Sequence, residues 1–244
     1  VAKGMSKLDM ANRLINALAS ENVRWNQGVK DLSDNRFLLI GDALLGAAFV
    51  SYIGAFTKPF RDDLVNNKWL PELMVANAGE PLPMMEPYSP LTVLTTDAEI
   101  ALWNSRGLPA DPVSTENGSI VCRSARFPLM IDPQLQGVAW IKQFTGGNDE
   151  KPLQIARLGN KDLLSKLKTA LENGYPMLIE NMGEAIDAII MPVIQRSTMK
   201  RGGKNWTKLG DDEVEFHSDF RLYMHTKLSN PHYAPEIQAE CTLV

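Results

Sequence analysis

The residues best placed to do chemistry begin at Asp132. The run Asp132-Pro133-Gln134-Leu135-Gln136-Gly137-Val138-Ala139 follows a short apolar stretch ending at Ile131 and precedes a helical pattern. A phosphate-binding loop of the form GxxxxGK[ST] occupies the same strand–loop–helix position. With Gly137 set on the second glycine of that pattern, Asp132 stands at the first glycine, Val138 at the lysine and Ala139 at the hydroxyl residue. Each change removes a physical requirement. Pro133 has no N–H to donate and, with Asp132, stiffens a loop that must wrap a phosphate. Val138 supplies no cation for the β- and γ-phosphates, and Ala139 supplies no magnesium ligand. Asp132 sets a negative charge toward the phosphate. The turn is expected not to hold ATP.

A second candidate lies roughly 45 residues further on, where the apolar run Met177-Leu178-Ile179 ends in Glu180-Asn181. In phosphoryl-transfer sites such a strand ends in two acidic groups, one holding magnesium and one polarising the attacking water. Glu180 keeps the first carboxylate, while the Asn181 amide cannot act as a base. With no magnesium to bind, Glu180 is expected to be held by N–H groups of the 132–139 turn or by Thr226 or Lys227. Thr226 and Asn230 are polar residues at the end of a third apolar run, and a turn closed by Asn230-Pro231 accounts for them equally well. His217, His225 and His232, spaced eight and seven apart, are a zinc candidate. They straddle a strand and a turn without a cysteine or carboxylate pattern. No nucleophile elbow is present, and the scattered aromatics make no stacking platform. The expectation is no catalytic residue, no metal and no cofactor in this part of the chain.

These residues need a scaffold. Residues 8–29 carry Leu8, Ala11, Leu14, Ile15, Leu18, Trp25 and Val29 at helical spacing, and Asp31, Ser33 and Asp34 are expected to end that helix. A nearly all-apolar helix over 37–56 and a helical piece over 62–74 follow. Residues 76–92, with Asn77, Gly79, Pro81, Pro83, Pro87 and Pro90, read as a linker. A short helix over 95–103 is ended by Gly107 and Pro109. From about residue 125 strands alternate with helices. Strands are expected over 127–131, 153–158, 177–179 and 220–225, and helices over 134–143, 162–172 and 185–194. The segments 206–209 and 214–216 flank Gly210-Asp211 as a hairpin. The fold class is therefore α/β: an N-terminal helical segment, residues 1–75, a Pro/Gly-rich connection, 76–125, and a three-layer α/β/α core with a mainly parallel sheet, 126–244.

Composition sets limits on partners. The 244 residues are 44% apolar and 22% charged with a net charge of −4, which recommends neither nucleic acid nor an anionic membrane. Lys200-Arg201 with Lys204 reads as a solvated turn. The uncharged part of the apolar helix, 43–56, is 14 residues, short of the ~20 a membrane span needs. Cys122 and Cys241 make no disulfide framework and fit a reducing compartment. Both ends, Val1 and Cys241-Thr242-Leu243-Val244, read as cut from a longer chain.

The resemblance is carried by longer strings: Glu21 to Trp25, Gly41 to Leu45, Trp103-Asn104 with Gly107-Leu108-Pro109, Pro128 to Gly137 (containing IDPQLQ), LIENMGE over 178–184 and HTKLSNPHY over 225–233. In this order, over nearly the whole chain, they are similar to dynein heavy chains, most closely the axonemal forms. That resemblance implies the returning base of the stalk and the end of the fourth AAA+ module over 1–75. It implies the large subdomain of the fifth module, whose P-loop does not work, over the rest. Thr226 or Asn230 would then stand at the sensor position, and the hairpin would be an insertion before the sensor strand. The final strand of the sheet is expected beyond Val244, leaving the core incomplete at its C-terminal end. Implied partners are neighbouring AAA+ modules and the stalk of the same chain, with microtubules reached only through other parts. ATP and magnesium are expected only in other modules, and the location is cytoplasmic, cytoskeletal and axonemal. Two alternatives stand beside a structural, transmitting module: a regulatory nucleotide-binding module, favoured by Glu180, and a free-standing interaction domain.

Overall fold

The computed structural model describes residues 2–147 and 149–244. Helix α1, Ala2–Asn35, continues through Asp31, Ser33 and Asp34, where the sequence predicts a stop. Those side chains are solvent-exposed, and such residues inside a helix cost only tenths of a kcal/mol each. Leu8 and Ala11 of the expected stripe lie outside the described side chains, while Leu14, Ile15, Leu18, Trp25 and Val29 are each at least 60% exposed. Helix α2 is shorter than expected, Leu39–Tyr52, and is not apolar-packed all round. Leu45 and Phe49 are buried on one side and Leu39, Ile40, Leu44 and Tyr52 are exposed on the other. Helix α3, Lys58–Asp62, starts before the expected boundary because Pro59 suits a first helical turn. It runs through a π-helical stretch, Asp63–Trp69, into α4, Leu70–Leu73.

The connection is more structured than its composition suggests. It holds α5, Leu91–Leu94, then α6, Asp97–Ser105, and α7, Pro112–Arg123. The Thr96 side chain accepts from the Glu99 N–H and the Glu99 carboxylate returns the bond, a capping box on α6. Asp111 accepts from the Ser114 N–H at 2.9 Å, with Pro112 just inside the first turn of α7. Gly118 lets α7 approach α6, since a Cβ there would lie 2.9 Å from Leu108 Cδ2 and 3.2 Å from Trp103.

The core continues as β1 Phe127–Ile131, α8 Gln136–Thr145, β2 Gln154–Arg157, α9 Leu163–Asn173 and β3 Pro176–Glu180. The helix expected over 185–194 is reduced to α10, Met191–Ile194. Ahead of it the Asp187 carboxylate accepts from the Ile189 N–H, a local bond that competes with helix. The expected hairpin gains a third strand: β4 Met199–Arg201, β5 Lys204–Leu209 and β6 Asp212–Glu215 form a separate antiparallel sheet. Strand β7, Arg221–Thr226, and helix α11, Pro235–Glu240, lead to β8, Cys241–Leu243. This corrects the expectation that the final strand lies beyond Val244: β8 pairs in parallel with β1, Cys241 opposite Phe127 and Leu243 opposite Leu129.

The main sheet is parallel throughout, in the order β2-β3-β7-β1-β8. Alternate strand residues feed opposite faces. Leu129, Met177, Ile179, Leu222 and Met224 pack with Leu167 and Leu171 of α9 and Val193 of α10. Met130, Leu178 and Tyr223 pack with Trp103, Val121, Trp140 and Ile141 of α6, α7 and α8. Helices therefore cover both faces, as the run of apolar strands requires.

The N-terminal helices are fastened to this core. Leu45, Phe49 and Ile53 share a buried cluster with Ile120 of α7. A Cβ on Gly54 would fall 1.9 Å from the Leu243 carbonyl oxygen of β8, so only glycine allows that approach. Arg61, 4% exposed, donates to the carbonyls of Phe56 and Gly54 and to the Glu116 carboxylate of α7 at 3.2 Å. Lys58 reaches the same carboxylate at 2.6 Å.

Candidate functional site

Strands β1, β7 and β3 are neighbours, so Ile131, Thr226 and Glu180 end at one edge of the sheet. Ligands of parallel α/β sheets sit at this carboxyl edge. The turn after β1 is tied to β7 by the Asp132 N–H donating to the Thr226 carbonyl at 3.0 Å. Leu135 takes a left-handed conformation, φ 63°, which delays α8 to Gln136, two residues later than expected.

The N–H groups opening α8 already have an anion. The Asp132 carboxylate accepts from the Gln136 N–H at 3.0 Å and the Val138 N–H at 2.9 Å. Such donors at a helix start otherwise face a bound phosphate. Val138 turns its side chain into the core at 6% exposure. Ala139, Pro133, Gln134, Leu135 and Gln136 are exposed. Gly137 is not demanded by the backbone: a Cβ there would lie 3.4 Å from Asp132 Oδ2, an ordinary contact.

Glu180 meets neither partner expected of it. Its carboxylate lies 2.5 Å from Lys142 Nζ of α8 and 3.4 Å from Arg157 Nε at the end of β2. The reason is local supply. Asp132 has taken the turn's N–H groups, and the Thr226 hydroxyl donates to the Met182 carbonyl at 2.8 Å while accepting from the Leu228 N–H. Burial works to raise the Glu180 pKa, but Lys142 and then Arg157 outweigh it and hold the acid below its ordinary value. Lys227 is exposed, and Asn230 is exposed in the loop beyond β7.

The residue that joins the strand ends is His225. It is fully buried. Nδ1 accepts from the Asn181 N–H at 3.2 Å, which leaves the proton on Nε2. Nε2 faces the Asp132 carbonyl at 3.4 Å and Oδ2 at 3.8 Å. Burial pushes its pKa down, so the ring is neutral. Asn181 adopts φ 54°, a left-handed conformation that asparagine tolerates. The zinc reading gives way to this bracing role. His217 Nδ1 accepts from the Asp219 N–H, and among the described residues no group of three His, Cys, Asp or Glu side chains is gathered for a metal. The signal for His225 was a histidine inside an apolar strand, with no local partner to explain it.

A cleft of about 420 Å³ opens beside the turn, between it and α7. Asp111 and Asp132 line it, together with apolar side chains that include Leu108, Pro109, Val121, Met130 and Trp140. Among the described residues no Lys, Arg or His lines it.

A five-stranded parallel sheet with this turn between β1 and α8, helices on both faces and a helical N-terminal part is the core of an AAA+ domain. Comparison with known proteins agrees. The family described as "ATP-binding dynein motor region" matches residues 101–244, and that described as "Microtubule-binding stalk of dynein motor" matches residues 3–73. The chain is 47% identical over 97% of its length to "Dynein axonemal heavy chain 17" of Mus musculus. It is 50% identical over 98% to "Dynein alpha chain, flagellar outer arm" of Chlamydomonas reinhardtii, and 49% identical over 97% to "Dynein beta chain, ciliary" of Heliocidaris crassispina. The chain belongs to the dynein heavy chain family. It spans about 5% of the length of each of these relatives.

Proposed function

We propose that this chain is a non-hydrolysing AAA+ module, the fifth in a dynein motor ring, that transmits movement between the base of the stalk and neighbouring modules. The axonemal, ciliary and flagellar names of its relatives support work in a cilium or flagellum, on microtubules reached through other parts of the motor. The observation that carries the reading is Asp132, whose carboxylate takes the N–H groups of Gln136 and Val138. A phosphate would have to displace that side chain against its charge. No cation follows at Val138 and no hydroxyl at Ala139. Glu180, the residue that favours a regulatory nucleotide site, is engaged by Lys142 and Arg157.

Transmission is supported by how the helices are fastened. Arg61 and Glu116 form a buried ion pair, with side chains 5% and 9% exposed, across the junction of helical segment and core. Gly54 sits against the backbone of β8. Movement of one part displaces the other. Calorimetry with Mg-ATP on the 244-residue chain is expected to show no heat of binding at millimolar ligand. A dissociation constant below about 100 μM, worth roughly 5.5 kcal/mol, overturns the reading.

A further inference from the structure

Four arginines gather at the amino-terminal edge of the main sheet, around residues 121–126. Arg221 Nη2 donates to the Val121 carbonyl at 2.9 Å and to Ser124 Oγ at 3.4 Å. Arg196 donates to the Ala125 carbonyl and lies over the Phe127 ring, 5.7 Å from its centroid. Arg126 Nη1 donates to the Ala239 carbonyl at 2.8 Å, and Arg123 Nε to the Leu94 carbonyl at 2.7 Å. These bonds close helix ends, but a helix end carries only about half a negative charge. Of the acids nearby, Glu99 pairs with Arg123, and Asp219 is taken by Lys151. Among the described residues Arg126, Arg196 and Arg221 form no ion pair with a carboxylate, Glu240 beside β8 included. Each guanidinium has five N–H donors and uses one or two of them here. In a chain of net charge −4, this edge holds a local excess of the opposite sign.

The same edge opens onto an apolar groove of about 340 Å³ between α2 and α5. Ala43, Ala47, Val50, Val93 and Leu94 line it, and Arg123 and Ala125 close one end. Gly46 lets α5 lie close on α2, since a Cβ there would fall 2.9 Å from Val93 Cγ1. Ala43, Ala47 and Val93 are exposed. Ala43 and Ala47 stand one turn apart, so their small side chains leave a channel that another helix can enter. Among the described residues no acidic side chain lines it.

Charge complementarity selects the occupant. The arginines call for carboxylates, and the groove calls for an apolar face. The exposed stripe of α1 in a second copy meets only the second condition, because that helix carries five Lys or Arg against four Asp or Glu. We propose that this face docks an acidic amphipathic helix of another protein, its apolar side along Ala43, Ala47 and Val93 and its carboxylates on Arg126 and Arg196. The proposal goes beyond the non-hydrolysing reading and does not depend on it, because Asp132 lies at the opposite edge of the sheet.

The probe is a fluorescein-labelled peptide with leucine and glutamate patterned at helical spacing, titrated with the 244-residue chain and followed by anisotropy. Saturable binding is expected, weakening as salt rises from about 50 mM to about 500 mM. The same peptide with glutamine for glutamate is expected not to bind. Arg126→Glu/Arg196→Glu is expected to weaken binding about tenfold or more, and Arg126→Lys/Arg196→Lys to restore most of it. Ala47→Glu sets an acid in the groove at an exposed helical position and is expected to weaken binding as well, which decides the matter if the double arginine variant does not fold. Absence of binding, equal binding of the glutamine peptide, or unchanged affinity in Arg126→Glu/Arg196→Glu or in Ala47→Glu refutes the proposal. Self-association of the chain that is lost in these variants, with the peptide unbound, assigns the face to a second copy and also refutes it. None of these outcomes alters what Mg-ATP calorimetry reports on the non-hydrolysing reading.

Discussion

At the scale of single residues, one acidic side chain and one histidine organise the edge where a nucleotide would sit. Asp132 supplies an internal anion to the start of α8, where the helix dipole favours negative charge. His225, buried and neutral, ties that turn to the exit of β3. The sequence made half of this legible. That Val138 and Ala139 stand where the phosphate-loop pattern has a lysine and a hydroxyl residue is apparent from the sequence, and so is the charge at Asp132. The use of that charge was not, because it depends on the left-handed turn at Leu135 bringing the carboxylate under the N–H groups of α8. Glu180 was misread for a related reason: Lys142 and Arg157 lie on α8 and β2 and meet it only in the folded sheet. Both groups make stability pH-dependent. The folded-state pKa of His225 is depressed, so the unfolded chain binds the extra proton, and stability should fall as pH drops below the ordinary histidine range near 6.5. Glu180 is also depressed, so its contribution is present above the ordinary carboxylate value and is lost as pH falls through its folded value. Denaturant midpoints followed from pH 8 down to about pH 2–3 should therefore decline in two stages, the second below the ordinary glutamate value of about 4.3. His225→Gln should flatten the upper stage, and an unaltered upper stage in that variant contradicts the assignment.

At the scale of elements, strands β1, β2, β3 and β7 and helices α8 and α9 follow from patterning, with boundaries shifted by a residue or two. What patterning missed was fixed by tertiary contact. Helix α7 begins at Pro112 and contains Ser114, Thr115, Asn117, Gly118 and Ser119, a poor helix-forming composition. It is held by the Asp111 cap and by burial of Glu116, Ile120 and Val121. Strand β8 is three residues long, too short to show a period, and exists because β1 offers it an edge. The glycines that matter also changed places. Gly137, the glycine that matches the phosphate-loop pattern, accommodates a Cβ at 3.4 Å, whereas Gly54, in no motif, would place one 1.9 Å from Leu243 O. Gly137→Ala should therefore change stability by less than about 1 kcal/mol. Gly54→Ala must push α2 from β8 and should cost about 1–3 kcal/mol or more, as overpacking does. Urea unfolding of the two variants decides the point, and equal destabilisation would contradict the packing described here.

At the scale of the whole molecule, a long helix with an exposed apolar stripe leads into the shorter N-terminal helices, and it is these that a buried Arg61–Glu116 ion pair and the Gly54–Leu243 backbone approach fasten to the rest of the fold. Leu14, Ile15, Leu18, Trp25, Val29 and Leu32 are 60–76% exposed. A stripe of that length wants a partner. The 244-residue chain is accordingly expected to bind a hydrophobic dye or self-associate, read by fluorescence and light scattering. A dye-silent monomer would contradict it. Strand β8 covers the edge of β1, and the exposed apolar surface lies on α1.

The central claim is that this module acts through packing and not through chemistry on ATP. Its most direct test is the ratio of microtubule-stimulated to basal ATPase in a dynein motor that carries this sequence. Glu180→Gln removes the carboxylate at the end of β3 and should leave turnover unchanged. Arg61→Met breaks the buried pair with Glu116, a loss of about 3–5 kcal/mol in such settings. It should lower the stimulation ratio while basal hydrolysis survives. Abolished turnover in Glu180→Gln, together with an unchanged ratio in Arg61→Met, would contradict the account.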